Sequence, residues 1–449
     1  MTHQTLFSEF SPITQEQWIA RCIKDLKGKD FTELNYTTPD GITIKPFYTE
    51  EDINQINTTP LFNHTNWNIC VEIDGTNEVE GNKQALHALK QGADSLLFYV
   101  NDHCNLLQLL QHIQTEILQL HFVVDGNAIK FLSNLRQQVN TKHYNINIDF
   151  VEQLLRTGVY RKNLGEDLAE QNEITVQTHT LIINGNIYHN SGATSAYEIG
   201  CILAHLNVYL NNQSFDINAI QNVQLNVACG ENYFFEIAKL RALRKVMNRL
   251  FEVQELNPVQ LHIHAETSTR YLTAFDVHNN LLRNTTAAMA AVTGGCNSLS
   301  IKPHTQVFAG YDEQAQRFAI NIQHLLKAES YFDKVADISA GAFYIENLTE
   351  TLAQKGWEYF TAIETEGGLL SSLQNQTIQN KIEAFAAIEQ QAFDAGELIL
   401  VGTNKFPNVN ETLTQKMIWD EPKPAGTIKP LFPHRLAQKN EIERQQANV

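Results

Sequence analysis

The 449-residue sequence has no apolar stretch approaching membrane-spanning length, no CxxC pair among its six cysteines and no surplus of positive charge. The first absence excludes a helical membrane span, because a bilayer core needs about 20 consecutive apolar residues. The second excludes zinc sites built on paired thiolates. Cys22, Cys70, Cys104, Cys201, Cys229 and Cys296 are scattered and read as free thiols in a reducing compartment. With 33 Lys and Arg against 50 Asp and Glu, the formal charge is -17, a field that repels nucleic-acid phosphates and anionic lipid headgroups. The opening "MTHQTLFSEFSPITQEQW" has neither a basic n-region with an apolar run nor the Arg-rich look of a transit peptide. Together these absences predict a cytoplasmic chain that binds neither nucleic acid nor membrane.

What is present is a globular composition, 43% hydrophobic, enough for one large core with appendages. "SPITQEQWIARCIKDLKG" reads as a capped helix, and "TTPDGITIKPFYTEEDI" as an extended arm turning at Asp40-Gly41. From about Trp67, short apolar runs ("SLLFYV", "LHFVVDG", "TLIING", "VQLNVACG") alternate with stretches of helical periodicity. Strand-helix alternation over some 300 residues predicts a parallel α/β fold, a (β/α)8 TIM barrel by its repeat count. The expected divisions are an N-terminal helix and arm over 1–60, a barrel with closing helices over 61–405, and a polar tail or linker stub over 406–449.

Several groupings invite a chemical reading. "TAAMAAVTGGCNSLSIKPH", Thr286 to His304, resembles a strand end feeding a pocket, with small residues running into Gly294-Gly295. Those glycines lack the rest of a P-loop, and a tight turn accounts for both. Cys296 with His304 as base would make a nucleophile, although nothing in the sequence orders the two in space. His262 and His264 share one face of a probable strand; they are either a metal pair without a third ligand or a polar barrel lining. Lys239, Arg241, Arg244, Lys245 and Arg249 lie on one helix, as a phosphate- or partner-binding strip or as a solvated face.

The longer motifs carry a family resemblance. "KDLKGKDFTELNYTTPDGITIKPFYTEEDI" resembles the N-terminal arm of methylmalonyl-CoA mutases. "NNLLRNTTAAMAAVTGGCNSLS" is similar to their barrel segment NN(V/L)(I/L)RTTxEAMAAVxGGTQSLHTN. "FFEIAKLRALRKV", "DISAGAFYIENLTETLAQKGWEYFTAIETEGG" and "LILVGTNKF" extend the likeness over most of Trp18 to Phe406. The resemblance implies a barrel that orients and encloses an acyl-CoA while adenosylcobalamin supplies the radical chemistry.

The residues that would do this work are replaced. In "WNICVEIDGTNEVEGN" the Arg, Gln and Tyr of the family motif fall on Cys70, Val71 and Glu72, and in "CNSLS" Asn297 and Ser300 stand for Gln and His. A Glu72 carboxylate beside an anionic ester and an apolar corrin costs several kcal/mol unless paired or protonated. The nearest sequence to the cobalt-ligating DxHxxG is "DVHNNL", Asp276 to Leu281, which reads as a chance match. "YHNSGATSAYE" departs from the catalytic YHMQEAGA pattern and resembles the form found in small, non-catalytic subunits. Arg283 matches the Arg of RTT, a possible acyl-CoA contact or else a structural ion pair.

The resemblance therefore implies a small subunit with no catalytic or metal-binding residue of its own. Adenosylcobalamin is expected on a large partner subunit, in a heterodimer, with a homo-oligomer when the chain is alone. The alternatives are a catalytic barrel that borrows a cobalamin domain from a separate chain, and a relic that binds CoA esters without turning them over.

Overall fold

A computed structural model describes residues 8–11, 13–256, 258–418 and 426–447. Its centre is eight parallel strands: β1 (Asn68–Asp74), β2 (Ser95–Asn101), β3 (Gln119–Asp125), β4 (Tyr144–Asn147), β5 (Thr180–Asn184), β6 (Asn222–Cys229), β7 (Gln260–Thr267) and β8 (Ser298–Ser300). They pair in the order β4-β3-β2-β1-β8-β7-β6-β5, so each strand but the two end ones neighbours its sequence neighbours and β8 closes on β1. This is the expected (β/α)8 barrel, closed except for a seam.

The seam lies between β4 and β5, where side chains replace the backbone ladder. Asn147 and Asn184 exchange amide hydrogen bonds at 3.0 and 2.9 Å, and the Asp149 Oδ2 accepts the Asn184 N–H at 2.8 Å. The other Asp149 oxygen accepts from His205 Nε2 at 2.9 Å and Tyr209 OH at 2.7 Å, with all these groups buried.

Alternate strand residues turn outward onto the helices: Leu96, Phe98, Phe122 and Val124 pack with Phe131 and Leu132 on one side. On the other, Leu181, Ile183, Leu225 and Ile263 meet the helix Ser195–Leu210. That helix is apolar almost all round ("IGCILAHL") because it is sandwiched between the barrel and the helix Phe343–Thr365. No helix among the described residues is long and apolar enough to cross a membrane.

The basic helix, Tyr233–Val253, fits neither reading of its cations. Lys239 and Arg241 are fully buried. Lys239 Nζ meets Glu198 at 2.9 Å, Glu236 at 2.8 Å and the Ala228 carbonyl at 2.7 Å. Arg241 bridges Asp337 and Glu346, Arg244 donates to the Gly295 carbonyl at 2.9 Å, and Lys245 pairs with Glu350. Only Arg249 stands on an exposed face, 3.1 Å from Glu252. The strip is largely a set of internal ties, because Glu198, Asp337, Glu346, Glu350 and the Gly295 carbonyl reach it from other elements while Glu236 and Glu252 pair along the helix itself.

The arm forms as expected. Thr14 and Gln17 make a capping box on the helix Gln15–Asp25, none of whose residues is buried. A hairpin pairs Tyr36–Thr37 with Thr43–Ile44 around Asp40-Gly41, where Gly41 has φ of +77°. Asp40 accepts the Thr194 hydroxyl at 2.6 Å and fastens the hairpin to the barrel.

The segment over 406–449, expected as a polar tail or linker stub, packs back onto the barrel in its last described part. Residues 426–437 lie against the barrel with Leu431, Leu436 and Ala437 buried, and Gln438–Ala447 is a helix whose Glu441 accepts the Ala274 N–H at 2.6 Å. A few apolar anchors in a polar sequence hold it down.

Candidate functional site at the barrel mouth

The inward faces of the strands carry polar side chains where many barrels carry Val, Ile and Leu. Asn145 donates to Gln224 at 2.6 Å, Gln224 to Asn226 at 2.8 Å and Asn226 to Asn184 at 2.6 Å, a ladder across β4, β6 and β5. His262 Nε2 and His264 Nδ1 both meet the Ser298 hydroxyl, at 2.9 and 2.8 Å. The His121 ring lies 6.1 Å from that of His264. Burial, with the charge of neighbouring cations added, pushes His262 down to about 3. Burial likewise brings His264 to about 4 and His121 well below its ordinary value, so all three are neutral.

Above this packed interior, at the C-terminal ends of the strands, is a cavity of about 640 Å³. Its wall includes Glu72, Tyr99, Glu266 and His264. Lys302, just past β8, sets its ammonium 2.7 Å from both Glu72 oxygens and 3.0 Å from Glu266 Oε2. Tyr99 donates its hydroxyl to Glu72 at 3.2 Å, and Asn186 donates to Glu266 at 3.0 Å. Burial works against the Lys302 charge, but Glu266 and Glu72 outweigh it and hold the ammonium well above the usual lysine range. The same ion pair keeps Glu266 below the usual carboxylate range despite its burial.

The replaced positions do not form one cluster. Cys70, Glu72 and Ser300 face the barrel interior, with Ser300 in register with Cys70 and donating to its carbonyl at 3.3 Å. Val71 points outward into the helix-facing core. Asn297 sits at the opposite end of β8 from the mouth, accepting the Ile263 N–H at 2.8 Å and Arg244 at 3.2 Å. Arg283 spends its guanidinium on Asn280 at 2.8 Å, Thr273 at 3.1 Å and the Val401 carbonyl at 2.6 Å. It ties a loop to the helix Asn279–Thr293 and does not line the mouth cavity.

Other expectations move as well. Thr286–Thr293 is the end of that helix, and Gly294-Gly295 is its exit turn at the bottom of the barrel, not a strand end feeding a pocket. Gly295 has φ of +87°, and a Cβ there would strike the Phe62 ring. Cys296 precedes β8 and His304 follows it, so they lie at opposite ends of the strand; burial also pushes the Cys296 thiol up to about 12. Among the described residues no group of three or more His, Cys, Asp or Glu could hold a metal ion.

Sequence reasoning passed over Lys302, Glu266 and Tyr99. The two-residue strand period was the available signal, since Lys302 follows Ser300, Glu266 follows His264 and Tyr99 follows Leu97 on the inward face.

Comparison with known proteins bears on what this mouth is. The family model for methylmalonyl-CoA mutase matches residues 167–440. A methylmalonyl-CoA mutase small subunit from Porphyromonas gingivalis is 32% identical over 92% of this chain and 73% of its own length. The chain belongs to the methylmalonyl-CoA mutase family. A methylmalonyl-CoA mutase large subunit from Streptomyces virginiae is 25% identical over 87% of the chain, which spans 62% of that relative. A protein of Mycobacterium bovis described as a probable methylmalonyl-CoA mutase small subunit is 31% identical over 51% of the chain and 39% of its own length. Relatives in the family thus carry both small- and large-subunit names, and Glu72 and Lys302 make this member's mouth an ionic clasp.

Proposed function

We propose that this chain is the small subunit of a heterodimeric, adenosylcobalamin-dependent methylmalonyl-CoA mutase, non-catalytic itself and supporting a large subunit that performs the isomerisation. The observation that carries the reading is the filled barrel. The amide ladder and three neutral imidazoles pack the barrel interior, and the Glu72–Lys302–Glu266 clasp sets three charges at the mouth, in the space where the resemblance places the acyl-CoA. The runner-up, a catalytic barrel served by a separate cobalamin chain, would need that space open.

The mouth does not fit adenosylcobalamin. A corrin face laid on it would desolvate three charges, at several kcal/mol per ion. The DVHNNL sequence offers no ligand to the mouth, because His278 is exposed at the start of the helix Asn279–Thr293, its ring 5.5 Å from that of His304, and does not line the mouth cavity. In this reading the cofactor resides on the large subunit. The arm supplies a docking surface: its helix packs Trp18 against Phe47 and Phe31 but has no fully buried residue, and Ile13 just before it and Ile23 on it are exposed.

Isolation of the chain from its host under mild conditions, with mass spectrometry of what accompanies it, tests the proposal. A longer chain carrying its own barrel and a DxHxxG domain is expected. A cobalamin-only short chain would overturn the reading in favour of a catalytic barrel, and a homo-oligomer without a partner would also overturn it.

A further inference from the structure

Glu72 and Tyr99 line both the mouth cavity and a second cavity of about 380 Å³ that Lys302 also lines, so the two side chains stand in the wall the cavities share. The clasp across this wall is asymmetric. Glu266 is the deeper carboxylate, 8% exposed and held by Asn186, and it takes one face of the ammonium. Glu72 receives the rest: both its oxygens are 2.7 Å from Lys302 Nζ, and its Oε2 also takes the Tyr99 hydroxyl. Two donors from different strand ends converge on one carboxylate that has open space on either side.

We infer that Lys302 and Tyr99 build a carboxylate-binding subsite in the barrel mouth and that Glu72 is its tethered ligand. Without Glu72, the ammonium would keep Glu266 but lose its bidentate partner, and the phenol would lose its acceptor, in a space that a small free carboxylate fills. A buried charge with donors left unmet is the costly state that such a ligand relieves. Held in place, Glu72 excludes that ligand and separates the cavities. The inference deepens the proposed reading of a shut mouth, yet it is tested on the chain alone, so a missing partner subunit would leave it standing.

The test is chemical rescue. Thermal midpoints of the chain are followed with sodium formate or acetate against chloride at equal ionic strength, for the wild type, Glu72→Ala, Glu72→Gln and the double variant Glu72→Ala with Lys302→Met. Glu72→Ala should melt below the wild type in chloride and recover saturably with formate, as mass action requires of a ligand bound only to the folded state. The wild type, Glu72→Gln (whose amide still fills the subsite) and the double variant should show no such carboxylate-specific rise. Equal responses in all four proteins, or no response in Glu72→Ala, would overturn the proposal. If Glu72→Ala folds too poorly to melt, Glu72→Ser takes its place. Failure of both to fold in formate as in chloride also counts against it.

Discussion

At the scale of single residues, the helix Tyr233–Val253 separates buried from exposed charge on one scaffold. Lys239 sets its one ammonium between Glu198 and Glu236 where water cannot reach, so its removal leaves two carboxylates without that cation. Breaking a buried pair costs about 3–5 kcal/mol. Lys239→Met should therefore lose stability on that scale in urea unfolding. Arg249→Ala, ten residues along and exposed, should stay within about 0.5 kcal/mol of the wild type. Similar losses from the two would mean that the Lys239 cluster is not the internal tie its geometry describes. Composition could not reveal this difference. The cations are visible at positions 239 to 249, and Glu236 and Glu252 are near them in sequence, but the carboxylates of residues 198, 337, 346 and 350 come close only in the packed fold.

At the scale of elements, the barrel's weak point is where two strands meet without a ladder. Asp149 binds His205, Tyr209 and the Asn184 N–H at once, and the last contact spans the β4–β5 seam. In Asp149→Asn one oxygen becomes an amide nitrogen, which cannot accept what the carboxylate accepted. Hydrogen exchange should then quicken in β4 and β5 while β7, paired on both sides, keeps its protection. A uniform change across the barrel, or none, would show that the seam is held by something else. The same elements show why the sequence was legible in part. β2 and β5 announce themselves by nearly continuous apolar runs, and β3 and β6 by outward apolar residues that face helices and recur at every second position. β4 ("YNIN") and β8 ("SLS") are short and carry polar residues inward, so they lack the apolar run that marks a buried strand. The clasp went unseen for a related reason: Lys302 lies beyond the strand, in a loop, and its role depends on β1 and β7 lying on either side of β8.

At the scale of the whole molecule, a barrel filled with neutral histidines depends on pH in a definite direction. In the folded chain His264 and His262 do not take up protons until about pH 4 and 3, and His121 is pushed well below its ordinary value too. In the unfolded chain all three protonate near 6.5. Between those limits the unfolded state binds more protons, so stability rises with pH. It is fully present above about pH 6.5 and drains away as pH falls through 6 and 5 toward the folded values. The charges facing the pair oppose one another: Glu266 favours protonation of His264, while Lys302 resists it and Arg244 resists it at His262. Each pKa unit of depression is worth about 1.4 kcal/mol, so the combined effect reaches several kcal/mol. Asp149 and Glu266, held below the usual carboxylate range, add a separate loss only near and below pH 4, while Asp40, Glu152 and Glu231, which burial pushes up, work in the opposite direction and offset part of the histidine effect. Urea midpoints measured from pH 7.5 down to 4.5 should therefore fall steadily, and the slope should flatten in the double variant His262→Gln with His264→Asn, which keeps polar side chains in the barrel but removes two titrating groups. An equally steep slope in that variant would move the pH dependence out of the barrel interior.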